Sequence, residues 1–242
     1  MHKESLMIKK LDFYFDVGSP TSYLAYRKLL QMQSKYNFNL IYIPILLGGI
    51  FKLTGNQSPA VIAAKGKYME LFDLPRFAKL YNVSFKSNPH FPVNTLTLMR
   101  GAIAAQEMTF LNKYLDCVFD ALWVKQLNMG HPEILADELK KNEMDYSVVI
   151  KLAQSEQIKA KLIENTQQAV DRGIFGAPTF FIEGDMYFGQ DRLHIIETLL
   201  MKDGKQTETF IKQSISTDSK LSPCLLYTSD AADEGLGVDL GG

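Results

Sequence analysis

Alternation of apolar and polar positions marks the first element of this chain. Leu11, Phe13, Phe15 and Val17 interleave with Asp12, Tyr14 and Asp16, which predicts a strand, and Gly18 permits a tight turn after it. Ser19 then Pro20 is the order of an N-cap and a first helical position, so a helix is predicted over residues 20–36. A second strand is predicted at 38–44, with a loop through 53–59. Helical spacing recurs over 61–81, 95–108, 110–123, 132–141, 146–154 and 158–172, interrupted at Pro92, Gly130 and Asn142. Extended structure returns at Thr179-Phe180-Phe181-Ile182, turns at Glu183-Gly184-Asp185 and comes back through Met186-Tyr187-Phe188 before a last helix. Strands separated by so much helix must still meet in one sheet. The pattern therefore predicts an α/β fold: a core of residues 10–47 and 173–203, an all-helical insertion at 48–172, and a tail at 204–242. A cleft between core and insertion is the expected place for a site.

Ser19-Pro20-Thr21-Ser22 stands where a thioredoxin-type oxidoreductase carries Cys-Pro-x-Cys, at a strand-to-helix junction. With serine in both cysteine places, dithiol exchange here is excluded, because its attacking group is a protein thiolate. Sulfur chemistry at this site needs a thiol brought by a ligand. Downstream, Gly173-Ile174-Phe175-Gly176-Ala177-Pro178 reads as a loop closing on Ala-Pro just before a strand. Thioredoxin-like folds carry a cis-proline there. A cis bond would turn the Ala177 backbone outward, ready to pair with an extended peptide.

The stretches Phe13-Tyr14-Phe15-Asp16-Val17-Gly18-Ser19-Pro20, 46–56, Phe91-Pro92-Val93-Asn94-Thr95, 175–181 and Phe188-Gly189-Gln190-Asp191-Arg192-Leu193 keep one order and spacing. Together they resemble the 2-hydroxychromene-2-carboxylate isomerases and their relatives, the kappa-class glutathione transferases, over residues 11–200. The resemblance implies a DsbA-like thioredoxin core with a helical insertion, glutathione as cofactor, a small aromatic substrate, and a homodimer as the common assembly among relatives. It also implies residue roles. Ser19 would donate to the sulfur of glutathione. Asp191 would meet the γ-glutamyl ammonium, with Gln190 beside it for the adjacent carboxylate. Asn56 and Lys65 would face the ligand, and Ala177, next to Pro178, would pair with the cysteinyl backbone. Each role has a plainer counterpart: Ser19 as a helix cap, Asp191 as a cap of the last helix, Lys65 as a solvated charge, Trp123 as core rather than substrate pocket. Thr21 departs from the pattern, which usually has an aromatic residue after Ser-Pro; the departure bears on the acceptor pocket.

A glutathione thiol starts near about 8.5, and a helix N-terminus contributes roughly 0.3–1 kcal/mol, up to about 2 in a partly buried geometry. At about 1.4 kcal/mol per unit this is at most about one and a half units, so a Ser19 hydrogen bond must help to hold thiolate at neutral pH. The implied activity is isomerisation of 2-hydroxychromene-2-carboxylate or a related aromatic pyruvate by reversible thiolate addition. A kappa-class-like glutathione S-transferase is the second reading, and a redox-inert thioredoxin-fold module that binds peptides is the third.

Composition narrows the setting. The 242 residues carry a formal net charge of -1, which offers no field for nucleic acid or an anionic membrane. No apolar stretch approaches a membrane span, and the N-terminus lacks the continuous apolar segment of a signal peptide, so a cytoplasmic enzyme is expected. The four histidines, His2, His90, His131 and His194, are scattered and the cysteines are two, so no metal site is expected. Cys117 falls on the apolar stripe of a predicted helix and is expected to be buried. Residues 224–242, beginning at Cys224, resemble a translated sequencing-library adapter and are expected to be non-native.

Overall fold

The computed structural model describes residues 8–201. The predicted tail at 204–242, with its proposed adapter-derived end, lies outside the described residues, as do His2 and Cys224. Four strands form one sheet in the order β2-β1-β3-β4, from β1 (Lys9–Phe15), β2 (Phe38–Pro44), β3 (Thr179–Ile182) and β4 (Asp185–Phe188). The β1–β2 pair is parallel, joined through helix α1 (Pro20–Gln33); β1–β3 and β3–β4 are antiparallel. β1 is central, and from Leu11 to Phe15 every residue is buried.

The period-2 alternation read from the sequence sends β1 side chains to two different cores. Leu11, Phe13 and Phe15 join Tyr23, Tyr26, Phe119 and Trp123 in the main core. Phe13 stacks on Phe180, its partner in the β1–β3 register, at 5.4 Å between ring centres. Tyr14 faces the other way and packs with Ile45, Ile50, Ala169 and Phe181. Arg172 closes that second face: it lies 3.7 Å over the Phe181 ring and donates to Asp12 Oδ2 and the Tyr14 hydroxyl.

The helices between β2 and β3 are α2 (Leu47–Thr54), α3 (Ala63–Tyr68), α4 (Leu74–Tyr81), α5 (Leu96–Glu107), α6 (Leu111–Trp123), α7 (Pro132–Lys141), α8 (Tyr146–Ala153) and α9 (Glu156–Asp171). Helix α10 (Leu193–Met201) follows the sheet. The main core is continuous from the sheet into α5, α6, α7 and α9. Cys117 lies in it on α6, 4% exposed, and burial pushes its thiol up to about 11, so it is inert.

The elements differ locally from the predicted ones. Helix α1 ends at Gln33 rather than 36: the Ser34 amide still makes a regular bond, to Leu30 O, but the Lys35 amide then bonds Met32 O, only three residues back, at 3.0 Å. The predicted 61–81 helix is broken near its middle by a π turn, Met69–Asp73, between α3 and α4. Helix α2 has no local sequence signal, because nothing at its start looks like a cap. Leu46, at the N-cap position, makes no side-chain cap bond; instead the Asp16 carboxylate accepts from the Leu47 amide at 2.9 Å across 31 residues. Among the described residues no helix is long and apolar enough to cross a membrane.

Candidate active site

The β1–α1 turn, the loop before β3 and the turn after β4 converge beside the sheet. Ser19 caps α1: its backbone is extended, and its Oγ accepts from the Ser22 amide at 3.1 Å. The hydroxyl also donates to Ala177 O at 3.1 Å, across 158 residues. The Ala177–Pro178 bond is cis, as the loop motif predicted. Thr21 brings a second hydroxyl to the same place, 2.8 Å from Ser19 Oγ and 3.3 Å from Ala177 O. Ser22, in the second cysteine place of the redox motif, is fully buried.

The turn that presents Ser19 is held by groups from elsewhere in the chain. Asp16 is 1% exposed; its Oδ1 accepts from the Gly18 amide at 2.9 Å, and its Oδ2 accepts from Leu47 N at 2.9 Å and Thr95 Oγ1 at 3.1 Å. Burial pushes the Asp16 carboxyl above its ordinary value, and these three hydrogen bonds only partly offset that. Thr95 passes so close that a Cβ on Gly18 would meet its methyl at 2.7 Å, so only glycine fits there. From the other side, Trp123 Nε1 donates to Val17 O at 2.9 Å. Trp123 is 3% exposed, so it is core that steadies the turn rather than an open pocket wall.

The residues singled out from sequence fall into two groups. Asn56 is tied to the loop before the cis-proline, its Nδ2 donating to Phe175 O at 2.9 Å. The Gly189 amide donates to Pro178 O at 2.9 Å, which carries Gln190 and Asp191 into the same neighbourhood. Gly189 has φ +97°, a conformation glycine adopts without strain, and a Cβ there would collide with the Asp191 carboxylate. Asp191 is half-buried and pairs with Arg192. Gln190 is buried, and its carbonyl accepts from the Tyr81 hydroxyl of α4 at 2.6 Å. Lys65 stands apart: it is exposed on α3, and no hydrogen bond or ion pair among the described residues ties it to Ser19, Ala177 or Asp191.

The sequence ties Thr21 only to the acceptor pocket and gives Asp16 and Asp73 no site role, yet all three belong to this site. Asp16 was visible as a charge inside an apolar run, and Thr21 as a hydroxyl two residues after the cap. Asp73, at the end of the π turn, has its carboxyl raised by burial and then by the nearby charge of Asp191, so two acids share this corner. No local signal pointed to Asp73, since the pair exists only once α4 packs beside the turn after β4.

The family model of the DSBA-like thioredoxin domain matches residues 10–201. The 2-hydroxychromene-2-carboxylate isomerase of Pseudomonas sp. (strain C18) is 30% identical over 193 residues, covering 79% of this chain and 90% of that protein. Glutathione S-transferase kappa 1 of Rattus norvegicus is 29% identical over 204 residues, covering 78% and 90%. A solved structure of a 2-hydroxychromene-2-carboxylate isomerase superposes with a TM-score of 0.72 at 26% identity, over 87% of this chain and 100% of that one. With the sheet order, the capped helix and the cis-proline in place, this chain belongs to the DSBA-like thioredoxin domain family, in the group of the 2-hydroxychromene-2-carboxylate isomerases and kappa-class glutathione transferases.

Proposed function

We infer that this chain is a glutathione-dependent isomerase of 2-hydroxychromene-2-carboxylate or a related aromatic pyruvate. The observation that carries the reading is the pairing of Ser19 Oγ with Ala177 O, which sets a hydroxyl at the positive end of α1 against the residue before the cis-proline. A hydroxyl there can donate to a ligand's sulfur but cannot exchange disulfides.

The residues present fit glutathione, which carries an α-ammonium and two carboxylates. Asp191, with Asp73 beside it, offers negative charge for the ammonium, and the mutual repulsion of two acids is relieved by a cation between them. Ala177 would pair through its backbone amide with the cysteinyl unit beside Pro178, while Asn56 keeps the Phe175 end of that loop in place. Gln190, buried and held through its carbonyl, would support the γ-glutamyl carboxylate from the turn rather than reach out from the surface. Lys65, exposed on α3, would serve as an outer cation for a carboxylate. When bound, glutathione supplies a thiolate that adds to a conjugated substrate and is expelled again, so that a double bond can change geometry in between. Ser19 holds a proton toward the sulfur, the α1 N-terminus favours negative charge there, and the Asp16 clamp keeps both aligned.

The test is thiol balance. With catalytic glutathione, interconversion of 2-hydroxychromene-2-carboxylate and its open benzylidenepyruvate form should run above background while total free thiol stays constant. Similarity to the kappa-class enzymes supports a second reading, glutathione transfer, in which free thiol falls stoichiometrically with an aryl halide. Thiol consumption without isomerisation would replace the first reading with the second. Neither activity, and no glutathione binding, would leave the peptide-binding module.

A further inference from the structure

We propose that Thr21 is a positioning residue of the thiol site: its hydroxyl takes over the Ala177 carbonyl so that the Ser19 proton can turn to a ligand sulfur. The inference rests on the glutathione reading above. Ser19 Oγ has one proton and already serves three neighbours. It accepts from the Ser22 amide at 3.1 Å, stands 3.1 Å from Ala177 O and lies 2.8 Å from Thr21 Oγ1. Thr21 Oγ1 is itself 3.3 Å from Ala177 O. Two hydroxyl protons are thus shared among three oxygens, and two arrangements satisfy the distances.

In the first arrangement Ser19 donates to Ala177 O and Thr21 donates to Ser19. In the second, Thr21 donates to Ala177 O, and the Ser19 proton is released to a new acceptor. The Ser22 amide bonds Ser19 Oγ in both, so the helix cap survives the change. Without Thr21, turning the Ser19 proton to sulfur would strand a buried carbonyl, since Ala177 is 9% exposed and no other side chain among the described residues donates to that oxygen. Only hydroxyl rotation is required, with no bond made or broken. Thr21 is only partly buried on the first turn of α1, so it can respond to a ligand.

The experiment is an ultraviolet titration of the bound glutathione thiol in the full chain, with glutathione affinity measured by calorimetry. Thr21→Val should move the titration up by about one unit, so that about tenfold less of the bound thiol is ionised at neutral pH. Thr21→Ala should give the same shift without a branched side chain, and Thr21→Ser should restore the original curve. In a Ser19→Ala background, Thr21→Val should add nothing, because Thr21 acts through Ser19. A wild-type curve in Thr21→Val, no rescue by serine, or additive shifts in the double variant would each overturn the proposal while leaving the glutathione reading intact. Absence of glutathione binding by the unaltered chain would overturn both.

Discussion

Asp16→Asn should loosen the turn that carries Ser19 and lower the stability of the whole fold. In the wild type the carboxylate accepts three hydrogen bonds, from Gly18 N, Leu47 N and Thr95 Oγ1. Asparagine has one oxygen. Placed where Oδ2 stands, that oxygen keeps Leu47 N and Thr95, but the NH2 group then faces the Gly18 amide, donor against donor. Two charge-assisted bonds worth roughly 1.5–3 kcal/mol each become neutral ones of roughly 0.5–1.5, and one amide loses its partner. Against this, the variant no longer buries a charge, and the raised Asp16 carboxyl indicates that this burial is costly. A net loss of about 2–3 kcal/mol is expected at neutral pH, or about 4–12 °C in Tm for a domain of this size. Urea unfolding read by circular dichroism measures it.

The pH dependence sharpens the test. A carboxyl raised in the folded state above its ordinary 3.8 favours folding in full below that value and loses the contribution as pH rises through its folded value. The wild type should therefore exceed Asp16→Asn by more near 3.8 than at neutral pH. A variant as stable as wild type at neutral pH would refute the clamp, and a gap that widens as pH rises would show that its hydrogen bonds outweigh the burial that raises the carboxyl.

Ser19→Ala should cost about 1–2 kcal/mol of stability through the lost cap and the lost bond to Ala177, part of which Thr21 replaces. The same variant should retain glutathione affinity by calorimetry but raise the pKa of the bound thiol; an unchanged titration would leave Ser19 as a cap alone. Asp191→Asn should weaken glutathione binding by roughly 1–3 kcal/mol, about fivefold to 150-fold in Kd, through loss of a charge-assisted contact. Wild-type affinity in that variant would confine Asp191 to its pairing with Arg192.

Local rules carried much of this protein. The alternation from Leu11 to Phe15 is the central strand with a core on each face, Asp16 and Val17 passing into the turn, Ser19-Pro20 is a cap and first helical position, and the Ala177-Pro178 motif is a cis bond before β3. Such features depend on residues within one or two turns of each other, so periodicity and capping chemistry report them directly. The DsbA-like fold and its family were legible for the same reason, through motifs each confined to a few residues. What needed the tertiary structure was contact between distant segments. Helix α2 starts where Asp16, 31 residues away, accepts from Leu47, and no reading of the 46–54 stretch alone contains that acceptor. Thr21 looked like a departure from a pattern until the β1–β3 pairing brought Ala177 O within reach of its hydroxyl. Gln190 and Lys65 carry similar polar signals, yet packing of α4 buries the one, while the other is exposed on α3 with no hydrogen bond to the Ser19–Ala177 pair. Sequence order determined which elements form and which chemistry they carry; sheet register and helix packing decided which of those groups meet, because contact across 158 residues has no local signature.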